Sequence, residues 1–199
     1  MKKLGILLSG RGSNFEAIAR NIREGKIDAE IALVIANKPN AGGLVIARGL
    51  GLPAECIPSK GVPREEYDRQ VVARLKEADV DLVCLAGFMR LLSAYFVEQF
   101  PQRILNIHPS LLPAFAGLEA QEQAFEHGVK FSGCTVHFVD EKLDHGPIII
   151  QAAVPVLDAD DEAALATRIL QEEHRIYSEA IKLVLNGQYR IVGRRVIRT

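Results

Sequence analysis

Leu4-Gly5-Ile6-Leu7-Leu8-Ser9-Gly10-Arg11-Gly12-Ser13-Asn14 passes from an apolar run through a glycine-rich turn into a helical pattern. Apolar runs of the same kind recur at Ile31–Ala36, Ala54–Ile57, Leu82–Ala86 and Ile104–Ile107. Short and apolar on both faces, they read as strands buried inside a parallel sheet. Helical patterns lie between them at Asn14–Glu24, Ala41–Leu50, Arg64–Ala78 and Ala94–Phe100. Strand and helix in alternation call for right-handed crossovers, hence a Rossmann-like, mainly parallel α/β sheet flanked by helices. Ser13 or Asn14 can cap the first helix and Ser93 the fourth.

After Ile107 the rhythm changes. A loop from Pro109 to Gly117 leads to a helix near Glu119–His127, then to strand-like runs at Gly133–Val139 and Pro147–Val156. Their tight linkage predicts antiparallel C-terminal strands extending the sheet. One long helical pattern covers Asp160–Asn186, Gly187 stops it, and a polar-basic tail is left for a last hairpin. With no repeat, low-complexity tract or linker, we expect a single domain over 1–199.

Composition narrows the class. The chain has 199 residues, 48% of them hydrophobic, enough for a substantial core. A formal net charge of -1 gives no evident nucleic-acid surface. Cys56, Cys84 and Cys134 lie far apart without CxxC spacing, which argues against a disulfide framework or a zinc site and for reduced thiols. The N-terminal MKKLGILLSG is too short in its apolar part for a leader and reads as the first strand. No apolar stretch approaches the roughly 20 residues of a membrane span, so a soluble, cytoplasmic protein with no membrane partner is expected.

Three motifs could carry chemistry. In Ser9–Asn14, SGRGSN, glycines allow close approach of backbone N–H groups and the helix start favours an anion, so Gly12, Ser13 and Asn14 form a candidate phosphate cradle. The same residues also describe an ordinary capped turn. In Leu105–Pro113, LNIHPSLLP, Asn106 and His108 are two apart on a strand, so they share a face, and Pro109 ends the ladder. An amide and an imidazole at a strand's carboxyl end supply what a developing oxyanion needs. In Leu143–Ile150, LDHGPIII, Asp144 is either a turn residue beside a glycine or the partner that favours a charged His108 imidazolium. His145 competes for that role, although an extended segment would point it away. In the last helix Glu173 falls on an apolar stripe of Leu165, Ile169, Ile176, Ala180 and Val184. It sits at the stripe's edge or accepts hydrogen bonds from a ligand's hydroxyls.

With these pieces in place, the sequence resembles the phosphoribosylglycinamide formyltransferases, folate-dependent enzymes of purine biosynthesis. The likeness runs through SGRGSN, REEYD at 64–68, LAGFMRLLS at 85–93, NIHPSLLP at 106–113, GCTVHFVDEKLDHGPIIIQ at 133–151 and QEEH at 171–174. It implies the formyltransferase fold, with a ribonucleotide-binding half at 1–100 and a folate-binding, catalytic half at 101–199. It further implies that Asn106, His108 and Asp144 are the catalytic set, and that the phosphate of glycinamide ribonucleotide rests on Gly12, Ser13 and Asn14 with its ribose near Glu173. 10-Formyltetrahydrofolate would contact Arg64, Met89, Arg90, Leu91, Leu92 and Asn106, and the loop Asp140, Glu141, Lys142, Leu143 and Asp144. No metal is implied, and the chain would act as a monomer or homodimer. The resemblance departs at Leu118–Gln123, LEAQEQ, where some relatives carry histidines at the positions of Glu119 and Gln121. Methionyl-tRNA formyltransferase and formyl-folate deformylase share the chemistry but call for an additional domain for which 199 residues leave no room. A non-catalytic phosphate- or nucleotide-binding module is the rival of another class.

Overall fold

The computed structural model describes residues 1–199. The chain divides into two compact units, Met1–Asn106 and Ile107–Thr199. No helix is long and apolar enough to cross a membrane.

In the first unit the elements are β1 (Lys2–Leu8), α1 (Ser13–Arg23), β2 (Ala29–Ala36), α2 (Gly42–Gly49), β3 (Ala54–Cys56), α3 (Arg64–Glu77), β4 (Leu82–Leu85), α4 (Ala94–Gln99) and β5 (Ile104–His108), the last running past the division. The strands are parallel in the order β3-β2-β1-β4-β5. The order reverses direction at β1, so right-handed crossovers place α1 and α2 on one face and α3 and α4 on the other. The packing of α1 on α2 and of α3 on α4 agrees. Leu4, Ile6, Leu7, Leu8, Val34, Ile35 and Val83 are fully buried between these layers, as the unbroken apolar runs require. β3 is the exception: all three of its residues are only half-buried, because it is the edge strand.

β1 and β4 flank the topological switch point, where open α/β sheets hold ligands beyond their carboxyl ends. The Ser9 amide donates to Gly87 O (3.0 Å) and the Ser9 hydroxyl accepts from the Met89 amide (2.8 Å), which ties the two strand exits together.

The second unit adds α5 (Ala120–Glu126), β6 (Phe131–Phe138), β7 (Ile148–Pro155), α6 (Glu162–Leu185), β8 (Tyr189–Val192) and β9 (Arg195–Arg198). β6 and β7 are antiparallel, β8 and β9 form a hairpin, and β9 joins β7 in parallel at Ile148↔Arg195. α6 lays Leu165, Ile169, Ile176, Tyr177, Ala180 and Ile181 on β6 and β7. β7 alternates rather than being buried on both faces, with Gln151 and Ala153 exposed opposite the buried Ala152 and Val154, because α6 covers one face. The Asp161 carboxylate caps α6 by accepting from the Ala164 amide, and Ser93 caps α4 by accepting from Phe96.

The cap expected of Ser13 or Asn14 is not there. α1 is capped by Gly12 at φ 84°, and no side chain takes that place. A Cβ on Gly12 would stand 2.7 Å from the Gly43 Cα at the start of α2. Backbone meets backbone at this point, and neither can yield. Gly12→Ala combines that clash with a left-handed φ, so it should destabilise the protein by about 1–3 kcal/mol. Urea unfolding checks this, and an unchanged midpoint would contradict it.

Candidate active site

β5 ends in Asn106-Ile107-His108 before Pro109. Strand alternation sets Asn106 and His108 on one side of β5, with Ile107 turned the other way. Asn106 is half-buried and His108 is buried. His108 Nε2 lies 2.8 Å from the Phe115 carbonyl, which can only accept, so that nitrogen carries a hydrogen. His108 Nδ1 lies 3.4 Å from Asp144 Oδ2. Both ring nitrogens thus face acceptors.

Asp144 is held from three directions. Its Oδ2 also accepts from the Gly117 amide (2.9 Å), and its Oδ1 faces His137 Nε2 at 3.7 Å. Burial works to raise its pKa. The hydrogen bond from His137, that from Gly117 and the charge of His108 prevail and hold it below the ordinary carboxylate range. The backbone of Asp144 is left-handed at φ 47°, a conformation aspartate tolerates better than most side chains.

Sequence reasoning missed His137. It is buried in the middle of β6, and its Nδ1 donates to the Phe138 carbonyl (2.8 Å). The available signal was a histidine inside an otherwise apolar strand, which needs a buried partner. Thr135 and Gln151 were missed too. The Thr135 hydroxyl donates to Ser110 O (2.7 Å) and accepts from the Leu112 amide (3.1 Å), while Gln151 Nε2 reaches Leu112 O (3.0 Å) and Thr135 Oγ1 (2.9 Å). This network pins the loop after His108 to β6 and β7.

His145 stands apart from this cluster. It is partly exposed and pairs with Asp140, Nδ1 to Oδ2 at 2.8 Å. Asp144, not its neighbour, is therefore the carboxylate or imidazole that meets His108. Glu141, Lys142 and Leu143 are exposed on the same loop. Glu173 lies buried on α6, away from any exposed edge of the stripe, and together with burial its carboxylate pushes the Cys134 thiol up. All three cysteines are free thiols, Cys84 and Cys134 buried and Cys56 half-buried.

In the first unit Gly12 is the N-cap of α1, and Ser13 and Asn14 open that helix without a side-chain cap. Arg64 opens α3, and the Arg90 guanidinium lies over the Tyr67 ring (4.7 Å) and donates to Ser59 O (3.3 Å). Met89 and Leu91 expose apolar side chains, whereas Leu92 is buried. The segment 89–92 is thus fixed at Arg90 and Leu92 and leaves its other two side chains exposed. Glu119, at φ 56°, is the N-cap of α5, and it and Gln121 bring no imidazole to this loop.

Residues 2–181 match the family described as Formyl transferase, and the chain belongs to that family. It is 42% identical over 187 residues to the phosphoribosylglycinamide formyltransferase of Escherichia coli (strain K12), a match covering 94% of this chain and 88% of that protein. To the trifunctional purine biosynthetic protein adenosine-3 of Drosophila melanogaster it is 50% identical over 189 residues. That match covers 94% of this chain and 14% of the relative, so the chain spans a small part of its length. The crystal structure of glycinamide ribonucleotide transformylase 1 from Symbiobacterium toebii superposes with a TM-score of 0.97 at 53% identity, over 100% of this chain and 94% of that one. The α/β fold, with its parallel strands followed by antiparallel ones, is therefore the formyltransferase fold.

A carboxyl whose pKa is lower folded than unfolded stabilises the fold above the unfolded value, about 3.9 for aspartate. That contribution is lost as the pH falls through the folded value. Asp144→Asn should therefore show its full stability deficit at neutral pH and a shrinking one below about pH 4. Urea midpoints of both proteins at the two pH values decide; an equal deficit at both refutes the sign.

Proposed function

We propose that this chain transfers the formyl group of 10-formyltetrahydrofolate to the amine of glycinamide ribonucleotide, giving formylglycinamide ribonucleotide and tetrahydrofolate. The reading is supported by membership of the formyl transferase family and by the names of its full-length relatives. The observation that carries it is the buried approach of His108 Nδ1 to Asp144 Oδ2 (3.4 Å), two residues after Asn106 at the end of β5.

The uncharged amine attacks the formyl carbon and forms the new C–N bond. The carbonyl oxygen takes up negative charge, the bond from carbon to folate N10 breaks, and the proton shed by the attacking nitrogen ends on N10. Asn106 donates to the oxyanion. His108 donates from Nε2, exchanging the Phe115 carbonyl for the more strongly accepting oxyanion, and Asp144 keeps the ring protonated and oriented at Nδ1. Holding both substrates in place supplies the remaining acceleration. The phosphate of the acceptor binds at the start of α1 on Gly12, Ser13 and Asn14, where helix amides and the macrodipole favour an anion. Glu173 accepts from the ribose hydroxyls. Arg64, Met89–Leu92 and the loop Asp140–Asp144 hold the folate, and the protein works in the cytoplasm.

Loss of an oxyanion donor costs on the order of a hundred- to a thousandfold in rate, so Asn106→Ala should lose kcat by that factor. His108→Ala should abolish most activity, and Asp144→Asn should lower kcat far more than it raises either KM. Near-normal turnover in His108→Ala or Asp144→Asn would discard these roles. A formyl-transfer assay with glycinamide ribonucleotide, run beside aminoimidazole carboxamide ribonucleotide, tests the acceptor, and preference for the second overturns it.

A further inference from the structure

The basic C-terminal hairpin and His145 are not used by the mechanism above, yet they touch. The register Ile148↔Arg195 between β7 and β9 sets Arg194 beside the point where the β6–β7 loop re-enters the sheet. Arg194 Nη1 lies 3.1 Å from His145 Nδ1 and 2.8 Å from its Nε2, and Nη2 donates to the His145 carbonyl. His145 Nδ1 is in turn 2.8 Å from Asp140 Oδ2, while Asp140 Oδ1 accepts from the Lys142 amide (2.9 Å).

The base of the loop is closed separately. The Phe138 amide donates to Pro147 O (2.9 Å), and Gly146 passes so near the Phe138 carbonyl that a Cβ there would stand 1.8 Å from its oxygen. Between that base and the tip lies Asp144, left-handed and immediately before His145. Arg194 grips both the ring and the backbone of the next residue, so it limits how far Asp144 can turn away from His108.

We infer that Arg194 is a positioning residue: with His145 and Asp140 it forms a clasp that fixes the Asp140–Asp144 loop for the folate co-substrate. This rests on the proposed reaction, in which that loop holds the folate. The clasp's pairs are exposed, and exposed pairs add little to global stability. Its effect is therefore local placement of the loop, with the melting temperature left alone.

The test uses Arg194→Ala, His145→Ala and the double variant in the full chain. Readouts are the melting temperature, kcat and both KM values in formyl transfer, and calorimetric titration with tetrahydrofolate. A 1 Å misplacement near reacting groups costs about a hundredfold, so a loosened loop should lower kcat/KM for the formyl-folate by roughly tenfold. KM for glycinamide ribonucleotide and the melting temperature should stay at wild-type values. Because both residues act through one clasp, the double variant should lose no more than the worse single.

Wild-type folate parameters in Arg194→Ala overturn the inference. So do equal changes for both substrates, or additive losses in the double variant. If the wild type itself neither binds tetrahydrofolate nor transfers formyl, the proposed function falls and the clasp's role falls with it. Wild-type binding matched by Arg194→Ala removes the clasp alone.

Discussion

A carboxylate taken out of water must be compensated where it lies, and around Asp144 that requirement organises the second unit. Three separate stretches of chain meet its two oxygens, brought to the β6–β7 loop that carries it: the end of β5 through His108, the following loop through the Gly117 amide, and β6 through His137. Each contact favours the ionised form, and together they outweigh the desolvation. The loops on either side are less free than their length suggests, since releasing any one would leave a buried charge short of a partner.

The rest of the neighbourhood defends this arrangement. Thr135 and Gln151 tie the loop beyond His108 to the strands beneath it, and Ser110 bonds Ala114 O across the turn (2.6 Å). The imidazole of His108 is consequently fixed by its second nitrogen as well as its first, with the Phe115 carbonyl as the acceptor at Nε2. Phe115 itself is held at φ 51°, an unfavourable conformation for an aromatic residue. Under the proposed reaction, such a scaffold would provide donors already aimed, which is what stabilising a transient oxyanion demands.

How much of this could be read from the residues depends on the range of the interaction. Alternation along β5 was enough to pair Asn106 with His108, since a strand fixes side-chain direction locally. The parallel sheet was likewise legible in its apolar runs, and Arg64, Ala94 and Ile104 begin elements where the pattern places them. Asp144 could be offered only as one of two neighbours, because the choice between it and His145 depends on a left-handed backbone that no period reveals. His137 was missed for a related reason: a histidine inside an apolar strand signals that a buried partner is needed, but the partner lies across a loop and the strand's own pattern does not name it. Ser13 looked like a cap by composition, yet Gly12 took the place because the neighbouring helix leaves no room for a side chain.

That crowding has a cost for anyone redesigning the molecule. Where α1 and α2 begin, the main chains of Gly12 and Gly43 touch with no side chain between them, and Gly43 also rests on Leu8, whose methyl would sit 2.4 Å from a Cβ there. A corner built from main chain offers no handle for retuning: its shape is inherited from the sheet, and nearby substitutions can damage it more easily than they can reshape it. Substitutions meant to alter the molecule therefore belong elsewhere, because at this corner two main chains already fill the space.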